Sequence, residues 1–135
     1  MVRILIIDDE LSVRSYLKRL LVRWGYEVDC APDGETGLQR CHEWQPHAVL
    51  TDIYMPGQDG LEFIRALRKQ ATGAGIIAMS GGGQIGQLDV LRSAKLMGAR
   101  QVLTKPFDSE TLKAVLQEMA PAPAAAAEEE AAPDD

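Results

Sequence analysis

Apolar residues along the chain follow two kinds of pattern, short continuous runs and longer stretches with apolar positions three and four apart. Residues 3–7, RILII, form the first run, which is typical of a strand covered on both faces. Helical spacing follows between residues 12 and 24, and Gly25 lies where a left-handed residue ends a helix. The first 25 residues therefore predict a strand followed by a helix.

The same strand–helix unit recurs four more times. Asp33 and Asp108 are predicted N-caps, because a short carboxylate accepts hydrogen bonds from the first-turn amides of a helix. Five units of similar length predict an α/β doubly wound fold, with a parallel five-stranded sheet and helices on both faces. The further strands are predicted over 27–31, 48–52, 76–79 and 101–104, and the further helices over 34–44, 59–69, a segment ending at 97, and 109–119.

Length and composition limit the chain to one domain with one tail. The 135 residues, 46% of them apolar, suffice for a single core, which we predict over residues 1–120. Residues 121–135 contain only Ala, Pro and acidic residues, a composition that predicts disorder. The net charge is −6, but five acids lie in that tail, which leaves 15 acids against 14 bases in the body. No basic excess indicates a nucleic-acid partner.

Other features predict an ordinary cytoplasmic protein. No apolar run approaches the roughly 20 residues of a membrane span, so no membrane association is expected. The N-terminus enters a strand directly, without a signal peptide. Cys30 and Cys41 show no metal-ligand spacing and are predicted to be buried, reduced thiols. His42 and His47 are predicted to be solvated at the surface.

Polar residues with related chemistry occur where the predicted strands end. Asp52 ends the third strand and is followed by a loop with Pro56, Gly57 and Gly60. In an open parallel sheet, functional residues gather outside the carboxyl ends of the strands. We therefore expect one cluster there, composed of Asp8, Asp9, Asp52, Ser80 and Lys105.

This set of residues is suited to phosphoryl transfer onto a carboxylate. Crowded carboxylates resist ionisation unless a cation compensates, and Mg²⁺ is the hard divalent ion that takes one or two carboxylates together with phosphate oxygens. Asp52 would then attack phosphorus, with Lys105 and Ser80 sharing the charge on the transferred oxygens. Taken singly, each residue also fits a helix cap, a turn or a solvated charge.

Four motifs carry a resemblance to a known family. They are IIDDE at 6–10, TDIYMPGQDG at 51–60, MSGGG at 79–83 and LTKPF at 103–107. In combination they resemble the response-regulator receiver domain of two-component systems, over residues 2 to about 119. The resemblance implies the flavodoxin-like receiver fold, with strand order 2-1-3-4-5, and a signalling switch rather than an enzyme.

The resemblance also implies a role for each site residue. Asp52 would be the phosphoacceptor, supplied by a sensor histidine kinase, a phosphotransfer protein or a small phosphodonor. Mg²⁺ would be bound by Asp9, Asp52 and the main-chain carbonyl of Tyr54, and through water by Asp8. Lys105 would pair with the phosphoryl group.

Further implied roles concern the switch and its output. Ser80 would be the switch hydroxyl, and the bond before Pro106 would be cis. Family members carry Tyr or Phe three residues before the lysine, where this chain has Val102. In the family that aromatic ring moves inward on phosphorylation and changes the face of helix 4, strand 5 and helix 5, which a downstream protein reads, and valine has no ring to bury. Tyr54 and Gly82 occupy positions that tune the access of water to the phosphate in the family.

Two other functions fit parts of the sequence. Val102 and the acidic tail also fit a receiver fold used as a phosphorylation-independent scaffold or binding module. A phosphatase of the haloacid dehalogenase type would use Asp8 as its nucleophile. Residues 8–12 match that family's Asp-x-Asp motif only loosely, since Glu10 stands at the second acidic position, and the chain has no room for a substrate cap.

Overall fold

The computed structural model describes residues 1–55, 57, 60–70, 73–81 and 87–120, with only the backbone described at 87–91. The predicted disorder of 121–135 and the role given to Gly82 lie outside these residues. The elements alternate along the chain and are β1 (Arg3–Ile7), α1 (Leu11–Arg23), β2 (Glu27–Ala31), α2 (Gly34–Trp44), β3 (Ala48–Asp52), α3 (Gly60–Gln70), β4 (Gly75–Gly81), α4 (Gln87–Met97), β5 (Gln101–Lys105) and α5 (Ser109–Met119).

The five strands form one parallel sheet in the order β2-β1-β3-β4-β5, which confirms the predicted fold. β1 lies between β2 and β3, so the chain reverses its direction of travel across the sheet after β2. β3 is the central strand, and all five of its residues are buried. The arrangement places the carboxyl ends of β1 and β3 side by side, at the point where ligands bind in folds of this class.

The apolar residues of the strands contribute to two hydrophobic cores, one on each face of the sheet, because successive side chains point to opposite faces. Leu5, Ile7 and Val49 pack with residues of α2, α3 and α4. Ile4 and Ile6 pack on the other face with residues of α1 and α5. Continuous hydrophobicity in the inner strands is thus explained by a helical layer on each side.

Several predicted element boundaries differ from the structure. α1 begins and ends one residue earlier than predicted, and Glu10 at its N-cap makes no side-chain capping bond. β4 is longer than predicted and includes Ser80, because its pairing with β5 continues to Gly81. The caps Asp33 and Asp108 are confirmed, and each accepts a hydrogen bond of 2.8 Å from the amide three residues later.

The cysteines and histidines follow the predictions only in part. Both cysteines are free thiols, with Cys41 buried and Cys30 only partly so. Burial raises the pKa of Cys41 to about 11, so this thiol is protonated and unreactive at neutral pH. His42 and His47 are exposed, but solvation does not fully describe His47, whose Nδ1 accepts a hydrogen bond of 2.9 Å from the Arg3 amide.

Candidate functional site

Asp52 lies at the carboxyl end of the central strand. The amide of Ile53 donates to the carbonyl of Met79 at 2.9 Å, which keeps the chain paired with β4 just beyond Asp52. The amide of Tyr54 donates to Asp52 Oδ1 at 3.1 Å. One carboxylate oxygen is thus held by the backbone, while the side chain remains 8% exposed.

Asp8 directly follows β1, the strand next to β3, and its side chain is fully buried. Its Oδ1 accepts a hydrogen bond of 2.9 Å from the Glu10 amide, which orients the carboxylate at the start of α1. The guanidinium of Arg14 donates to the Asp8 carbonyl at 2.7 Å. Arg14 was not among the predicted site residues, although its place on the first turn of the helix after Asp8 was a usable signal.

Lys105 joins the two buried carboxylates. Its Nζ lies 3.1 Å from Asp8 Oδ2 and 3.2 Å from Asp52 Oδ2. Lys105 is the last residue of β5, and its bond to Pro106 is cis, as the resemblance implied. A residue two strands away from Asp52 therefore supplies the positive charge between Asp8 and Asp52.

The three acids form a cluster suited to a cation. Asp8, Asp9 and Asp52 each offer a carboxylate oxygen, and these oxygens lie within 4.8 Å of one another. Asp8 and Asp52 are buried, whereas Asp9 is exposed at the rim. An all-oxygen set, open on one side, fits Mg²⁺, which retains water ligands in most protein sites. Exposed acidic groups also cluster without a metal. The stronger argument for a metal site is therefore that Asp8 and Asp52 are buried and held by hydrogen bonds.

Burial and charge act against each other at Asp52 and Lys105. Burial raises the pKa of Asp52 above its ordinary value, and the nearby ammonium of Lys105 and the Tyr54 amide offset this only in part. Burial tends to lower the pKa of Lys105, but the carboxylates of Asp52 and Asp8 together outweigh it and the pKa is raised. The lysine is therefore fully charged at neutral pH. Of the two groups, it is the Asp52 carboxylate whose charged form is disfavoured by burial.

Ser80 lies on β4, one residue beyond Met79, the register partner of Asp52. Its side chain is completely buried, and its Oγ has no hydrogen-bond partner in the part of the chain that the structure describes. A buried hydroxyl without a partner is costly and uncommon in native proteins. Such a donor at the strand end beside Asp52 is consistent with a group that bonds to a ligand.

Two further predicted site residues lie just after β3 and within β5. Tyr54 is 45% exposed, and its backbone amide donates to Asp52. Val102 pairs in register with Ala78 and is partly buried against the core shared with α3 and α4. The structure therefore places Val102 beneath the helical layer that includes α4.

Residues 4–117 match the family model of the response regulator receiver domain. The chain belongs to this family. It is a receiver domain of the kind found in the response regulators of two-component systems. Receiver domains are signalling switches that interact with histidine kinases or phosphotransfer proteins.

Curated relatives include proteins of very different length. The chain is 34% identical over 115 residues to the regulatory protein AtoC of Escherichia coli, with 85% of this chain and 24% of the relative covered. It is 34% identical over 119 residues to the probable chemotaxis protein CheY of Rhizobium etli, with 86% of this chain and 90% of the relative covered. The chain thus spans about a quarter of one relative and nearly all of the other.

Solved structures agree with the fold. The chemotaxis protein CheY4 of Vibrio cholerae has a TM-score of 0.77 and 30% identity, covering 88% of this chain and 98% of that protein. The response regulator TrrA of Thermotoga maritima, solved in complex with Mg²⁺ and BeF, has a TM-score of 0.76 and 33% identity, covering 88% of this chain and 99% of that protein. Within the described residues, no helix of this receiver domain is long and apolar enough to cross a membrane.

Proposed function

We propose that this receiver domain is a switch that accepts a phosphoryl group on Asp52 in the presence of Mg²⁺. The observation that carries the proposal is the contact of Lys105 with both Asp8 and Asp52, inside a cluster of three carboxylates. A lysine held between two buried acids can turn to a phosphoryl group without leaving the pocket. The donor would be the phosphohistidine of a sensor histidine kinase or phosphotransfer protein, or a small acyl phosphate.

Phosphoryl transfer to Asp52 depends mainly on how the reacting groups are positioned. A carboxylate oxygen of Asp52 forms a bond to phosphorus while the bond from phosphorus to the donor atom breaks, and the donor keeps the electron pair. The Tyr54 amide holds Oδ1 and orients the carboxylate. Lys105 and the hydroxyl of Ser80 would then donate to the oxygens of the transferred group.

Asp9 and Asp52 would hold Mg²⁺ directly, with the Tyr54 carbonyl as a third protein ligand and Asp8 acting through water. When bound, the ion would neutralise the carboxylates and the phosphoryl oxygens as negative charge accumulates. The complex of TrrA with Mg²⁺ and BeF supports this choice of metal.

The test of the acceptor is labelling with acetyl phosphate. Wild-type protein with Mg²⁺ should gain the mass of one phosphoryl group, and Asp52→Asn should gain none, because an amide does not attack phosphorus. Asp33→Asn is the matched control, since Asp33 is an exposed helix cap that asparagine can replace. Intact mass spectrometry checks the result, and a label that remains on an aspartate of the Asp52→Asn variant would contradict the assignment.

The output would pass to a separate protein through the face formed by α4, β5 and α5. Val102 has no aromatic ring that could become buried when Asp52 is phosphorylated. Any shift in this face would therefore arise through Ser80 and the backbone. Equal affinity of the partner for the protein with and without beryllofluoride would instead favour a constitutive scaffold. The expected place of action, the cytoplasm, stays a prediction.

A further inference from the structure

The first helix carries a concentration of positive charge that the proposed switch does not use. α1 contains Arg14, Lys18, Arg19 and Arg23 and no acidic residue, in a chain whose net charge is −6. Arg14 is committed to the Asp8 carbonyl. The other three bases lie further along the helix, away from the phosphoacceptor end of α1.

These bases surround an exposed apolar residue. Ser15, Lys18, Arg19, Val22 and Arg23 line one shallow depression, defined here as the basic face of α1. Val22, the one apolar residue of this face, is 50% exposed. Among the described residues, neither Lys18 nor Arg19 has an ion-pair partner. Arg19 and Arg23 are four residues apart, a spacing at which like charges repel and destabilise a helix. Within the described residues, Lys18 and Arg19 therefore lack a compensating negative charge.

The last helix ends beside this face. α1 and α5 cover the same side of the sheet. The hydroxyl of Tyr26 donates to the Ala120 carbonyl at 2.7 Å, and the ammonium of Lys113 lies 5.9 Å from the ring centre of Trp24. Since Trp24 is the C-cap of α1, Ala120 lies next to the carboxyl end of that helix.

The sequence beyond residue 120 has a suitable length and charge. Residues 121–127 are uncharged and are followed by Glu128, Glu129 and Glu130. Seven residues span at most about 25 Å when extended. The distance along α1 from Trp24 back to Lys18 is only about 9 Å, from the rise per residue of a helix. The three glutamates can therefore reach every base of the face.

We propose that Glu128, Glu129 and Glu130 dock on the basic face of α1 in the same chain. The occupant is the chain's own acidic segment because the end of α5 delivers it there, and a short tether gives it an effective concentration of about millimolar. Exposed ion pairs are individually weak and are screened by salt. The docking is therefore reversible, and an acidic partner would have to displace the segment to reach α1.

Zero-length carbodiimide cross-linking of the full-length protein tests this docking. The reagent joins an amine to a carboxylate in direct contact, and mass spectrometry identifies the linked peptides. At low salt we expect a link from Lys18 to Glu128, Glu129 or Glu130. The link should fall at least severalfold in 0.5 M NaCl and should be much rarer at Lys69 and Lys95, which lie on α3 and α4.

A pair of substitutions separates docking from simple proximity. Arg19→Gln keeps the reactive Lys18 but removes one charge, so the yield of the Lys18 link should fall about two- to fivefold, the effect of one exposed ion pair. Arg92→Gln, an exposed arginine on α4, is the matched control and should leave the yield unchanged.

Three results would overturn the proposal. One is a yield at Lys18 that neither salt nor Arg19→Gln lowers. Another is an equal yield at Lys69 or Lys95. The third is a link between heavy and light copies in an isotope-mixed sample at a yield matching that within one chain, which would make a second copy the occupant.

Discussion

Asp52 is under two opposing influences at the scale of a single side chain. Its burial disfavours the charged carboxylate, and the contact with Lys105 favours it, with burial the larger effect. A carboxylate whose pKa is raised in the fold makes the folded state less stable once it ionises. The ionised Asp52 carboxylate that the proposed function needs therefore lowers the stability of the ligand-free folded protein.

Replacing this carboxylate should stabilise the metal-free protein. The folded state binds the proton more tightly than the unfolded state, so stability falls as the pH rises from the ordinary pKa of Asp52 through its raised value in the fold. Above that window the whole penalty is present, and Asp52→Asn removes it. A gain of about 1 kcal/mol corresponds to a rise in melting temperature of roughly 4 °C.

The measurement is a thermal melt of both proteins from pH 3 to 8 in buffer with a chelator. The two curves should converge at the acid end, where Asp52 is protonated, and separate as the pH rises. Asp33→Asn should follow the wild type near neutral pH. A lower melting temperature for Asp52→Asn than for wild type at pH 7 would show that the Lys105 pairing outweighs burial.

At the scale of elements, the site depends on how α3 begins after the loop that follows Asp52. Gly60 is the first residue of α3 and is buried. A Cβ atom at this position would overlap the backbone carbonyl of Ile53 and would lie 2.5 Å from the Ile53 Cγ2. Gly60 is therefore required by the close approach of the start of α3 to Ile53, the residue after β3.

Gly60→Ala should destabilise the protein by about 3 kcal/mol, the upper part of the range for overpacking, because a backbone carbonyl cannot move as a side chain can. Urea denaturation measures the loss. Gly81→Ala is the control, since a Cβ there meets nothing within 4 Å. A loss of less than 1 kcal/mol for Gly60→Ala would mean that α3 shifts at little cost.

Element boundaries show where sequence patterns stopped being informative. The apolar period placed the strands and helices, and the caps Asp33 and Asp108 fixed two helix starts, because these signals are local. β4 continues past the predicted end because Ser80 and Gly81 pair with Thr104 and Lys105. Such pairing joins residues far apart in sequence, so no local pattern reports it.

At the scale of the whole molecule, one sheet with helices on both faces holds three acids close together at one end. Three carboxylates face the single ammonium of Lys105, so a divalent cation should bind the folded state and not the unfolded chain. Ligand binding of this kind stabilises the fold by mass action. The rise in melting temperature thus measures how tightly the site binds the cation.

MgCl₂ should raise the melting temperature with the logarithm of its concentration above the dissociation constant, with about 2.7 kcal/mol of stabilisation at a hundredfold excess. NaCl of equal ionic strength should not, since general screening does not bridge carboxylates. Asp9→Ala removes an exposed acid of the cluster and should abolish most of the response. An equal response to MgCl₂ in wild type and Asp9→Ala would exclude Asp9 as a ligand.

The sequence by itself determined the order of the elements, the family and the polar residues at the strand ends, because periodicity, caps and motifs are local properties. The tertiary structure decided that Lys105 contacts Asp8, 97 residues away, and that Ser80 is fully buried without a described partner. It also brought the end of α5 beside α1. Contacts of this kind depend on strand order and helix packing, which bring together residues that no segment of the sequence contains at once.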